Sequence, residues 1–174
     1  MKKKLLLYWS PRGNVEKAAN LIYNQFDPSE IDMINLEDFD YNNMKNYDEF
    51  IFGIATINAH TWREAEPINK WSRFFIEAKE DYFAGKKFAL YGLGDQLLYP
   101  NNFVDALDFL NTEIKNKKGI IVGKWPIEGY DFNETIGAKD GFFYGLALDQ
   151  NQEVDKSPER VAKWVKQIKK EFKS

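Results

Sequence analysis

Three stretches hold the residue types that could do chemistry, and each follows an apolar run. The first is Ser10-Pro11-Arg12-Gly13-Asn14-Val15. A short Gly-containing loop between a buried strand and a helix presents backbone N–H groups at the positive end of the helix dipole. That geometry suits a phosphate. Ser10 adds a hydroxyl and Arg12 a charged donor. The Gly-Lys-Ser/Thr of a Walker loop is missing, as are the three glycines of the dinucleotide fingerprint. An ordinary strand-to-helix turn would look the same. The second stretch holds His60, Thr61 and Trp62, then Glu66 and Trp71. A Trp just beyond a strand end could cover a flat ligand, or it could anchor a loop on the surface. His60 has no acid or nucleophile at a readable spacing and reads as a loop residue. The third stretch runs from Gly92 to Phe103 through Gly94, Asp95, Gln96, Tyr99 and Asn102. Its glycines let backbone come close to a ligand. Trp62 and Tyr99, on different loops at one end of a sheet, could sandwich a planar ring.

Composition excludes several other chemistries. The chain has no cysteine, which removes disulfide scaffolds, thiol catalysis and thiolate metal sites. One histidine removes a multi-histidine metal centre. No apolar run approaches the ~18–20 residues of a membrane span. The basic start Met1-Lys2-Lys3-Lys4 is followed by an apolar stretch too short for a signal peptide, so a cytoplasmic protein is expected. The formal charge is −3, but residues 156–174 hold seven Lys or Arg against Glu159 and Glu171. That end is therefore +5 and the remainder −8. The basic end reads as a solvated helix face, and the acidic remainder would repel nucleic acid. Aromatics reach 16 %, an excess that calls for a use beyond filling the core.

The elements that must position these loops alternate along the chain. The continuous apolar run at 5–9 has the pattern of a strand buried on both faces, and 50–55, 87–91 and 119–123 read as strands too. Residues 31–36 and 142–148 read as further strands. Helical spacing recurs over 15–26, 68–78, 103–114 and 158–172, the last opened by Ser157 as N-cap and Pro158 at the first helical position. This βα alternation predicts a parallel sheet covered on both sides, in one domain over 1–174. Such sheets bind ligands at the carboxyl ends of their strands, where all three stretches lie.

At these residues the chain resembles the flavodoxins, and among them the long-chain group. Gly94-Asp95-Gln96, Tyr99-Pro100 and Phe103 to Leu107 resemble the family's flavin loop and following helix. Trp125 to Phe132 resembles the long-chain group's extra loop. Phe142 to Asp149, then Arg160 and Trp164-Val165, resemble the last strand and helix. The resemblance implies a flavodoxin-like three-layer sandwich. Its five-stranded parallel sheet has the order 2-1-3-4-5, helices on both faces and a loop interrupting strand five. It also implies non-covalent FMN and electron transfer.

Carried over residue by residue, the resemblance puts the FMN phosphate on Ser10, Pro11, Arg12, Gly13, Asn14 and Val15. Arg12 and Val15 stand where the family has Thr. Gly53-Ile54-Ala55-Thr56 matches the start of the second loop, but Ile57 follows where Trp is expected. Thr61-Trp62-Arg63-Glu64-Ala65-Glu66 fits after a five-residue insertion over 56–60, which makes Trp62 the stacking residue; without that gap Ile57 covers the ring. The peptide Arg63-Glu64 would then be the one that turns when the flavin is reduced. Tyr99 stacks on the other face, and Gly94, Asp95, Asn102 and Phe103 complete the site. Asp95 and Asn102 meet the ring edge through backbone groups, and Asp149 approaches the ribityl side. The implied protein is a monomeric electron carrier without an enzyme reaction of its own. It meets redox partner proteins transiently, steered by its acidic rim, and engages neither membrane nor nucleic acid. Two alternatives stay open: an FMN-dependent, quinone-type reductase, or a flavodoxin-like binding module that has lost FMN.

Overall fold

The computed structural model describes residues 3–9, 13–56 and 70–174. Five strand positions form the parallel sheet. They begin with β1 (Lys4–Tyr8), β2 (Ile31–Asn35), β3 (Glu49–Ala55) and β4 (Lys87–Leu93). The fifth position is shared by two short strands, β5 (Ile120–Val122) and β9 (Leu146–Leu148). The order is β2-β1-β3-β4-β5, with β9 also on β4. Lys87 to Ala89 of β4 pair with β5, and Tyr91 to Leu93 pair with β9. Between them the chain leaves the sheet and builds a small antiparallel sheet from β6 (Trp125–Pro126), β7 (Ala138–Lys139) and β8 (Phe142–Phe143). The expected order and the interrupted fifth strand are both present.

β1 is buried along its whole length, because each face of the sheet is covered. Leu5, Leu7, Phe50, Phe52, Phe88 and Leu90 face one apolar cluster, under α2 (Lys70–Glu77) and α3 (Ala106–Asn116). Leu6, Ile51, Ala89 and Tyr91 face the other, under α1 (Asn14–Tyr23) and α4 (Ser157–Lys173). Alternate residues of each strand thus enter opposite layers. Much of the aromatic excess goes into the first layer, where Phe50, Phe52, Trp71, Phe74, Phe83 and Phe88 form a chain of ring contacts. Phe103, Tyr130, Phe132 and Phe143 make a second ring cluster that anchors the inserted segment.

Two local expectations are corrected. The run 142–148 is not one strand: Phe142–Phe143 belong to the small sheet and Leu146–Leu148 to the main one. The chain switches sheets at Tyr144-Gly145. Gly145 lies so close to β4 that a Cβ there would sit 2.1 Å from the Leu90 carbonyl oxygen. Ser157 is not an N-cap. A 3₁₀ turn over Val154–Lys156 runs into α4, which makes Lys156 the cap and puts Ser157, fully buried, inside the helix. Among the described residues no helix is long and apolar enough to cross a membrane.

Candidate functional site

The ends of β1, β3, β4 and β9 bring the predicted loops to one edge of the sheet. After β1, Gly13 is the N-cap of α1 with extended backbone, φ −136°. As glycine it offers no side-chain acceptor to the first-turn N–H groups of Asn14 and Val15. Among the described residues, a Cβ on Gly13 would meet nothing within 4 Å. Backbone donors at a positive helix end, with no described atom close to the glycine before them, fit an anionic group such as a phosphate. Val15 is buried, so its offering to such a group is its backbone N–H. The Asn14 side-chain amide donates to Asn151 Oδ1 at 3.2 Å. Ser10, Pro11 and Arg12 lie outside the described residues.

After β3, Thr56 ties two layers together. Its N–H donates to the Leu93 carbonyl at 2.9 Å, and its hydroxyl accepts from the Ala106 N–H at 3.1 Å. Thr56 Oγ1 therefore caps the first turn of α3. Thr61, Trp62 and Arg63 fall outside the described residues. So do Ile57 and the other residues of the proposed insertion after Thr56. Trp71 is fully buried and donates its indole N–H to the Gly53 carbonyl at 3.3 Å, as a core residue.

The third loop, 94–105, is held from within. Gly94 serves packing: a Cβ there would meet the Phe103 ring at 2.7 Å. The Asp95 carboxylate turns inward. Its Oδ1 accepts from the N–H groups of Leu97 and Leu98, while Asn151 and Gln152 donate to it from the loop after β9. Burial acts to raise this carboxyl, but the bonds from Leu98, Gln152, Asn151 and Leu97 outweigh it and hold the group below its usual value. Asp95 is thus a charged peg for the loop, with its carbonyl accepting from Tyr99. Asn102 donates its N–H to the Tyr99 carbonyl and accepts from Asp105, so its backbone braces the same turn. Phe103 is fully buried among Tyr130, Phe132 and Phe143. Any contact it makes with a ligand is through its main chain. Leu97, Leu98 and Tyr99 point out, 66, 68 and 48 % exposed. Tyr99 thus keeps a free face beside an apolar edge.

Sequence reasoning named Asp149 in the loop after β9 but not the bonds it makes. Asp149 is wholly buried and accepts four N–H groups. Gln96 gives its backbone N–H (2.9 Å) and side-chain amide (3.2 Å) to Oδ2. Asn151 N and Gln152 N bind Oδ1. The Asp149 carboxylate thus braces the loop, with its oxygens turned into the protein. Gln96 also reaches the inserted segment, accepting from the Asp131 N–H at 2.5 Å and donating to Glu153 at 2.9 Å. Arg160 completes the joint. It pairs with Glu153 at 2.6 Å, donates to the Gly129 carbonyl and lies 4.0 Å from the Tyr130 ring centroid. The bonds from Gln96 to Asp149 and Glu153 span more than 50 residues of sequence, and no local pattern signals them. Among the described residues no group of three or more His, Cys, Asp or Glu could hold a metal ion.

Glu153 gives this joint a pH dependence. Burial acts to raise its carboxyl, but Lys156, Arg160 and Gln96 hydrogen-bond to it, and the charge of Arg160 adds to them. Together they bring it to about 2. A lowered carboxyl stabilises the fold above its unfolded value and loses that contribution as pH falls through the folded one. With the Glu153 side chain 15 % exposed, the contribution is on the order of 1–3 kcal/mol, lost between about pH 5 and 2. Urea unfolding at pH 6 and pH 3 should show a smaller acid loss for Glu153→Gln than for the unmodified chain. Equal acid losses would contradict the assignment.

Comparison with known proteins agrees with this architecture. A family model described as Flavodoxin matches residues 6–164. A flavodoxin of Synechocystis is 37 % identical over 170 residues, covering 97 % of both chains. Flavodoxin 1 of Escherichia coli is 36 % identical over 168 residues, covering 96 % of this chain and 93 % of its own. The crystal structure of Fusobacterium nucleatum flavodoxin bound to flavin mononucleotide has the same fold, with a TM-score of 0.83 over 99 % of both chains and 24 % identity. The strand order, the split fifth strand and the sequence match over nearly the whole length place the chain in the flavodoxin family.

Proposed function

We propose that this chain is a single domain over 1–174 that carries electrons between redox proteins on non-covalent FMN. The phosphate binds the loop Ser10–Val15, and the ring lies between Trp62 and Tyr99. The observation that supports this reading is the α1 terminus: a glycine cap with no described atom within 4 Å of its Cβ position, at the positive end of a helix, and a half-exposed Tyr99 on the loop after β4. FMN supplies the redox chemistry, taking up and releasing one electron at a time.

The chain's own residues bind, orient and tune. The N–H groups of Asn14 and Val15 hold the phosphate, joined by Ser10 and Arg12. Thr56, Asp95, Asn102 and Asp149 fix the loops that carry the ring site. Asp95 remains ionised in the loop along the ring edge, where its charge opposes added negative charge and lowers the potential. Leu97 and Leu98 extend the apolar edge beside Tyr99. They form the contact face for a transient partner whose basic patch answers the acidic body. This reading makes the protein a cytoplasmic monomer.

The direct test is the absorption spectrum of the purified chain, with release of its flavin on denaturation. One FMN per chain is expected. A colourless protein that fails to take up added FMN would overturn the proposal in favour of a binding module. Oxidation of a nicotinamide by the protein alone would favour the reductase. Tyr99→Ala should weaken FMN by about 1–3 kcal/mol, in line with aromatic stacking on a planar base. Quenching of flavin fluorescence on titration measures this, and an unchanged affinity would remove Tyr99 from the ring site.

A further inference from the structure

Tyr8, Gly53 and Tyr91 stand side by side across β1, β3 and β4. The middle position has no side chain, and the Tyr91 ring crosses over it. A Cβ on Gly53 would lie 1.9 Å from Tyr91 Cζ and 2.1 Å from its hydroxyl oxygen. This crossing brings the buried Tyr91 hydroxyl to α1, where it donates to the Val15 carbonyl at 3.2 Å. From the other side, the Tyr8 hydroxyl donates to Glu16 Oε1 at 3.1 Å. Two strand tyrosines thus hold consecutive residues in the first turn of one helix.

The apolar packing under α1 does not explain the hydroxyl. Val15, Ala18, Ala19 and Ile22 bury the helix against the sheet, and Phe at position 91 would fill the same space. Apolar contact is non-directional, and two alanines leave a smooth surface on which a helix can shift or turn. A hydrogen bond to one named carbonyl removes that freedom, and a buried hydroxyl is tolerated only because the bond is made. The carbonyl it holds belongs to Val15, whose N–H faces the proposed phosphate space.

We infer that Tyr91 is a positioning residue for phosphate recognition: its hydroxyl, reaching through the gap at Gly53, fixes the α1 turn whose N–H groups grip the FMN phosphate. Tyr8 supports the same turn through Glu16. The inference rests on the phosphate placement proposed above. It predicts an effect confined to the phosphate end of the ligand.

The test compares FMN with riboflavin, which has the ring but no phosphate, on the full chain freed of flavin. In Tyr91→Phe the dissociation constant for FMN should rise about three- to tenfold, the worth of one buried hydrogen bond. That for riboflavin should stay within about twofold of the unmodified chain. Unchanged FMN affinity would overturn the inference, as would equal weakening of both ligands, which marks a general effect on the fold or ring site. If Tyr91→Phe fails to fold, Tyr8→Phe decides by the same criterion. An unmodified chain that binds neither ligand would remove the electron-carrier reading itself, and this inference with it.

Discussion

Asp149→Ala should destabilise the protein by about 3–5 kcal/mol and weaken flavin binding with it. A buried carboxylate that accepts four N–H groups ties the loop after β4 to the loop after β9. Each bond to a charged acceptor contributes about 1.5–3 kcal/mol, and a buried donor left without a partner costs about 1–3 kcal/mol. The simple sum overstates the loss, since Asn151 and Gln152 are exposed and water replaces part of what they lose. The Gln96 N–H is buried and has no such relief. Asp149→Asn should recover little, because its amide nitrogen would face N–H donors. The flavin effect follows from the connections beyond: Asn151 holds Asn14 and Asp95, so both the phosphate turn and the ring loop loosen. Urea unfolding with an unchanged slope measures the first effect and FMN titration the second. A stability within about 1 kcal/mol of the unmodified chain would show that the carboxylate is not a bracing group.

The sheet was legible because its chemistry is local. β1, β3 and β4 read as unbroken apolar runs, since strands buried on both faces have no polar side to show. Their order in the sheet came from the resemblance, as did the interruption of strand five. The run Phe142 to Leu148 misled because apolarity does not tell which sheet a residue joins, and Phe142 is itself half-exposed. Only the close approach at Gly145 marks the change. Gly94 also packs against Phe103, a contact that local spacing does not announce. At the site, backbone donors at Gly13 and the exposed aromatic Tyr99 could be found from local spacing. The bracing set of Gln96, Asp149, Glu153 and Arg160 could not. Its centre is Gln96 meeting Asp149 and Glu153 across more than 50 residues, a separation that has no period to detect.

Gly53→Ala is the second change of large effect, and its size depends on a residue that is not its sequence neighbour. The added methyl would need the space of the Tyr91 ring, at 1.9 Å. A surface side chain would swing away at little cost, but Tyr91 is fully buried between the sheet and α1. The strain must then move strand, ring or helix, and about 3 kcal/mol or more is expected, at the upper end of overpacking. The cause can be isolated with a double-mutant cycle. Tyr91→Leu alone should cost roughly 2–4 kcal/mol for lost volume and a lost hydrogen bond. In that background Gly53→Ala should cost less than about 1 kcal/mol, because the methyl enters space the ring has left. The difference is a coupling of about 2 kcal/mol or more, in the range seen for side chains in direct contact. Additive effects would mean that glycine is needed at position 53 for its backbone alone, and the gap that lets Tyr91 reach α1 would lose its meaning. Coupled effects would identify a glycine in the middle of a strand as the opening through which one strand fixes the helix above another.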